Sequence, residues 1–393
     1  MRGRALTEET LQTKHTLRTL AALAAAGLAL TACGTTSSSE DKTATDTGSC
    51  TKGQKLAFLG ATTGDYGALG LNMVGGIKLA LDEYNKKNPD CTVGFQEFDS
   101  QGDPTKATPL ANKIVGDDSI VGLVGPGFSG ESLATGKTFN AAGLPAISPS
   151  ATNVTITQQG WTTWHRVIGN DSDQGAAIAR YITNTAGAKK AFVIDDGSDY
   201  GKGLAGFVKK NLGSAVGGTD TVQAGQTDFS ATVTAAKGSG ADAVMFGGYY
   251  PEAGLLVKQL RQAGYKDLFI SGDGSEDPAF VKAAGAAAAN GAILTAPAGP
   301  APADFNVKYK AVNNADAGLY STQSYDAANI FLAGIDAGNT SHEDMNTFIG
   351  SYTGEGVSGP IAFDSNGDIK QSVIYAYTVK NGKLDTENPS PIE

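Results

Sequence analysis

The chain has 393 residues, 40% of them hydrophobic, and a formal net charge of −10. That is enough apolar material for two domains of ordinary size. Its Lys and Arg residues are scattered without a basic stripe, which excludes nucleic acid as a partner because phosphate binding needs clustered cations.

Residues 1–32 read as a signal peptide. Lys14 and Arg18 supply the positive flank, and the apolar run Leu20 to Leu30 is too short to span a bilayer. The run ends in Leu30-Thr31-Ala32-Cys33. This resembles the lipobox of bacterial lipoproteins, in which the cysteine is lipidated and becomes the first mature residue. The alternative is an ordinary signal peptide with a chance cysteine. Residues 33–52 are expected to form a flexible tether, since Gly34 to Ser49 contains no core former beyond one Ala. With Cys33 taken by lipid, Cys50 and Cys91 remain, each just before a predicted strand. Adjacent parallel strands would start the two side by side, which in an exported chain predicts a disulfide; two free thiols are the alternative.

From Lys55 apolar runs alternate with helical periodicity. Strand KLAFLGA precedes a helix with Met73, Ile77, Leu81 and Tyr84 on one face. Strand TVGFQEF, helix PTKATPLANKIVG, strand IVGLVG, helix ESLATGKTFNAAG and strand LPAIS follow. After Trp161–Arg166 the series restarts with helix SDQGAAIARYITNTAG, strand KAFVID and helix GKGLAGFVKKNLG. Strand DTVQ, helix FSATVTAAKGSG, strand DAVMFGG, helix PEAGLLVKQLRQAG and strand DLFISG complete it. Such alternation predicts an α/β fold of two doubly wound parallel-sheet lobes. The tail after Pro297 reads as mostly helical, ending in a hairpin from PIAFDSNGDIK to VIYAYTVKNGK. DSNGD sits in that hairpin as a turn; its spacing does not fit a calcium loop, so no metal is expected.

The stretch GPGFSGESLATGKT, residues 125–138, imitates three enzyme motifs. The G-x-G-x-x-G of Gly125, Gly127 and Gly130 lacks an acid at the end of the next strand, so no dinucleotide cofactor is expected. Gly136-Lys137-Thr138 falls inside a predicted helix, where a phosphate cradle has no free N–H groups. A serine hydrolase elbow at Ser129 would end in Gly where Glu131 stands, and would need a His base; the mature chain offers only His165 and His342. What remains is a loop of Gly and hydroxyl residues at the carboxyl end of a strand, opening a helix whose start favours a small carboxylate. The next strand ends in a second hydroxyl set, Ser148 to Thr152.

The segments GATTGDYGALG, DSQGDPTKA, GPGFSGES, ISPSAT, GNDSDQG, DDGSDYGKGLA, FGGYYPEAG and SGDGS together resemble the substrate-binding proteins of branched-chain amino-acid ABC importers, over about residues 54–385. The resemblance implies the type I periplasmic-binding fold, two lobes joined by three crossovers, in a non-enzymatic receptor. The expected division is 53–168 for the first lobe, 169–297 for the second, 298–364 for a return to the first, and 365–393 for final strands on the second. It assigns the ligand carboxylate to Ser129 and Thr152 and the ammonium to the Ser150 carbonyl and Asp273. Tyr66, Leu69 and Phe128 would set side-chain specificity, and Tyr200 and Tyr249 would close over the ligand. Without the resemblance, Ser129 and Thr152 read equally as caps, Asp273 as a turn residue, and the two tyrosines as ordinary half-buried aromatics. Phe128 is bulky where several members are small, and Asp273 is shorter than the Glu of leucine binders. The implied partners are a small amino acid and a membrane permease, reached by a monomer anchored outside the cytoplasm. Urea, a short amide or an aromatic acid as ligand, or a sensor role, are the alternatives within the family.

Overall fold

In the computed structural model, residues 52–393 are described. Cys33, Cys50 and the leader lie outside them. Five parallel strands form the first sheet: β1 (Lys55–Gly60), β2 (Gly94–Asp99), β3 (Ile120–Val124), β4 (Ala146–Ser148) and β5 (Trp164–Arg166), in the order β2-β1-β3-β4-β5. β1 and β3 are buried almost throughout, as continuous apolar runs covered on both faces should be. Between them run α1 (Gly67–Lys87), α2 (Pro104–Val115) and α3 (Ser129–Ala141). Asp103 caps α2 by accepting the Thr105 N–H at 2.8 Å, with Pro104 at the first helical position. Cys91 is disulfide-bonded. It precedes β2, which pairs in parallel with β1 from Lys55↔Gly94 onward.

The second sheet begins after α4 (Asp171–Arg180), which runs on into one π turn over Tyr181–Thr185. Its strands are β6 (Ala191–Asp195), β7 (Val216–Thr221), β8 (Ala243–Gly247), β9 (Leu268–Ser271) and β10 (Ile293–Ala296), all parallel, in the order β10-β9-β8-β6-β7. The intervening helices are α5 (Asp199–Leu212), α6 (Ser230–Gly238), α7 (Tyr250–Gln262), α8 (Pro278–Ala284) and α9 (Ala286–Ala289). β7 begins four residues before the predicted DTVQ, and β10 and α8 follow SGDGS where the sequence pattern gave no expectation.

The return segment supplies α10 (Ala303–Asn313), α11 (Ser321–Asp336) and α12 (His342–Gly350). They cover the first lobe: α11 and α10 pack on α1, and α12 packs on α11 and β3. Tyr84 donates to Asp336 at 2.7 Å and Tyr325 to Glu83 at 2.6 Å across that seam. The predicted terminal hairpin does not form. β12 (Gly359–Ala362) instead pairs with β11 (Thr353–Gly356). β13 (Tyr375–Lys380) crosses back and lies antiparallel to β10 in the second sheet, flanked by β14 (Lys383–Leu384) and β15 (Ser390–Pro391). Strand β13 found a deeply buried edge some eighty positions upstream, a stronger partner than its neighbour in sequence. DSNGD is a turn, as expected: the Asp364 carboxylate accepts the N–H groups of Asn366 and Asp368, and Gly367 has φ +86°.

Candidate functional site

The site lies where the carboxyl ends of both sheets face each other. From the first lobe come Leu69 and Met73 on α1, Gly127, Phe128 and Ser129 at the start of α3, and Ser150 after β4. From the second come Tyr200 on α5, Tyr249 before α7 and Asp273 after β9; Tyr320 joins them from the return segment. The space left among these side chains is about 10 Å³. That is near the minimum for one water, so a guest of amino-acid size enters only as the lobes part.

Helix α3 begins at Ser129, two residues earlier than the pattern predicted, which puts that serine in the first turn. The first N–H groups of a helix have no intrahelical partner and carry its positive end. Glu131, three residues after Phe128, accepts the Phe128 N–H at 3.2 Å and the Ser100 hydroxyl. Burial pushes its carboxyl up to about 8 despite those two bonds. Gly136-Lys137-Thr138 lies within α3, as the exclusion of a phosphate loop required. Ser129 Oγ accepts the Asn153 N–H at 3.2 Å. His165 is buried edge-on against Phe363, with ring centroids 4.9 Å apart, and His342 Nε2 meets the Ile120 carbonyl at 2.9 Å. Neither lines the cavity.

Opposite stands Asp273, 1% exposed. Its Oδ1 accepts the Tyr200 hydroxyl at 2.8 Å and its Oδ2 the Tyr320 hydroxyl at 2.5 Å. Burial raises its carboxyl above the ordinary range, and the two tyrosine hydroxyls oppose that rise. The glycines of SGDGS are steric necessities. A Cβ on Gly272 would fall 2.5 Å from Tyr200 Oη, and one on Gly274 2.9 Å from the Gly248 carbonyl. Tyr320 caps α11 at φ +69°, a conformation that bulky residues rarely adopt and that clusters at functional sites. It was not expected from the sequence; its signal there was no more than one Tyr in AGLYS.

Tyr66 and Thr152 do not line the cavity. Tyr66 lies at the outer mouth, its ring 4.5 Å from that of Tyr249 and 6.0 Å from that of Phe128. Tyr249 in turn lies 5.6 Å from Phe128 and 5.2 Å from Tyr200, so aromatic rings from both lobes meet. Thr152 is fully buried, its Oγ1 without a hydrogen bond of ordinary geometry. Beside it Asp171, the first residue of α4, is also fully buried; burial pushes its carboxyl up to about 8, opposed by the Thr152 hydroxyl. Arg166 fixes this loop from below. Its guanidinium is fully buried, donates to the Ala151 and Asn153 carbonyls at 2.9 and 3.0 Å, and pairs with Asp368.

Residues 53–383 match the family model described as periplasmic binding protein. The chain belongs to that family. This periplasmic binding protein is 30% identical over 346 residues to the Leu/Ile/Val-binding protein BraC3 of Rhizobium johnstonii, covering 84% of this chain and 92% of that relative. It is 33% identical over 328 residues to the leucine-specific-binding protein of Salmonella typhimurium, covering 80% and 88%. Among solved structures it resembles LivJ of Streptococcus pneumoniae, a branched-chain amino acid transporter substrate binding protein crystallised with isoleucine. The TM-score is 0.80 at 28% identity, over 86% of this chain and 99% of that one. The two-lobed α/β architecture read from the alternating pattern is that of these relatives.

Proposed function

We propose that this periplasmic binding protein is a receptor outside the cytoplasm, anchored by a lipid on Cys33, that closes on a small aliphatic amino acid and delivers it to an ABC permease. The observation that carries the reading is the opposition of two charged ends across one cavity. The positive start of α3, with Ser129, faces the carboxylate of Asp273. A buried zwitterion is costly unless each charge has a partner, and these are the two partners it needs. In this reading Ser129 takes the carboxylate, joined by the Thr152 hydroxyl once the lobes part and it turns from Asp171, and the Ser150 carbonyl and Asp273 take the ammonium. A carboxylate has about four acceptor sites, so Asp273 retains capacity beyond the Tyr200 and Tyr320 bonds. Leu69 and Phe128 bound the ligand side chain, while Tyr66, Tyr200 and Tyr249 form the lid. Hinge motion falls in the three connections near residues 168, 297 and 364. No reaction is assigned to it, since Ser129 has no His within the cavity lining.

The test is thermal unfolding of the soluble protein starting at Ser49, with each of the twenty amino acids, urea, acetamide and benzoate. Ligand at about 100 times Kd stabilises by roughly 2.7 kcal/mol. Leu, Ile or Val is expected to raise Tm. A shift with an amide or aromatic acid alone would keep the receptor and remove the ammonium role of Asp273.

A further inference from the structure

Behind the ligand site lies a second, roomier cavity of about 820 Å³. Second-lobe residues including Glu276, Tyr377 and Glu387 form one side. The segment 298–303, the start of α10 and residues 316–323 form the other. Tyr320 lines both cavities and is the wall between them.

Glu276 is 4% exposed, faces this cavity, and its carboxylate has no hydrogen-bond or ionic partner among the described residues. A buried carboxyl left alone is costly in its charged form. Burial and the neighbouring Asp277 and Asp273 raise it well above its ordinary range. No Lys or Arg lines the cavity. Of the other two acids there, Asp316 is engaged by Lys310 at 2.8 Å and Glu387 is exposed at the rim. Pro300 and Pro302 in the lining have no N–H to donate. The Tyr377 hydroxyl is spent on the Ala298 carbonyl at 2.6 Å and is not free to donate into the cavity. The lining therefore carries three acids and no cationic side chain, with Asn306, Thr322, Gln323, Thr386 and Asn388 adding groups that both donate and accept. The acids do not gather as a metal-binding group of three, so the fitting occupant is organic.

We propose that this hinge cavity is a second binding site, for a small alkyl amine or diamine, with one ammonium seated on Glu276. The proposal is independent of which ligand the first site takes. Two differently shaped sites sharing the Tyr320 wall let an amine bear on the closed form without entering the amino-acid site.

The experiment is calorimetric titration of the mature chain with 1,4-diaminobutane at low ionic strength, with 1,4-butanediol as the uncharged control. Expected are one-site binding of the diamine, none of the diol, and persistence of diamine binding when isoleucine is saturating. Glu276→Gln should weaken the diamine at least tenfold, and the rim variant Glu387→Gln by less. The rim variant changes only an exposed side chain, so it reports on the cavity even if the buried substitution impairs folding. The proposal is overturned by no diamine binding up to on the order of 10 mM, by equal binding of the diol, by displacement with isoleucine, or by unchanged affinity in a folded Glu276→Gln protein or, where that variant does not fold, in Glu387→Gln.

Discussion

Asp273→Asn isolates charge from shape at the centre of the proposed site. Both carboxylate oxygens of Asp273 already accept tyrosine hydroxyls. Asn keeps one acceptor for Tyr200 or Tyr320, and its amide can donate to the other hydroxyl once that rotates. The pocket wall therefore survives while the negative charge does not. At 1% exposure neither water nor salt screens the lost pair. Removing one partner of a buried ion pair costs about 3–5 kcal/mol, roughly a 100- to 4,000-fold rise in Kd at about 1.4 kcal/mol per tenfold. A solvent-exposed pair would lose about 1 kcal/mol or less. Calorimetric titration at 25 °C with the amino acid found by thermal shift separates these cases. Because the substitution removes a buried carboxyl with a raised pKa, the free variant should unfold no earlier than the parent. A folded variant with Kd within about fivefold of the parent, the range of an exposed pair, would refute the ammonium assignment.

Other outcomes follow from the same geometry. Tyr250 donates to the Asp65 carbonyl and Asn153 to the Asp199 carbonyl at 2.6 Å, both across the cleft; Tyr250→Phe should cost about 0.5–1.5 kcal/mol of closure, read as a weaker Kd and a larger radius of gyration in solution scattering. Arg166→Leu should destabilise by about 3–5 kcal/mol, because it strands Asp368 and two loop carbonyls; a denaturant melt unchanged from the parent would contradict this. Stability should fall as pH rises from about 5 to 8. Glu131 and Asp171 are pushed from ordinary values of 4.5 and 3.8 up to about 8, and Asp196 from 3.8 to about 6, so in that window the folded state binds more protons than the unfolded one. His165, lowered by burial from 6.5 to about 4, acts in the opposite sense only up to its unfolded value. Melts at pH 5, 6.5 and 8 read the slope, and Glu131→Gln should flatten it.

The alternating core was legible because β1, β3, β6 and β8 are continuous apolar runs, and their helices carry local caps such as Asp103 and Ser198. Seven of the nine site residues assigned by resemblance line the cavity. Tyr66 and Thr152 do not, because their places depend on how far the lobes close and on the buried Arg166 beneath the loop. Tyr320 was illegible for another reason. Its role comes from a left-handed backbone at a helix start and from a partner 47 positions away, and neither leaves a periodic trace. The terminal hairpin was misread because β13 is claimed by β10, a pairing that local turn chemistry cannot announce.

Neither lobe is one stretch of chain. The first remains uncovered until α11, ending at Asp336, lies on α1, and the edge of β10 stays open until Tyr375–Lys380 arrives. During synthesis, therefore, the first lobe stays open until the chain through Asp336 has emerged, and the second until Tyr375–Lys380 has. The nascent polypeptide stays incompletely folded through most of its elongation, which suits a chain that must be threaded through a membrane before it folds. Premature termination would leave an apolar strand edge exposed, a template for aggregation, so truncated products should be degraded rather than accumulate as half-receptors.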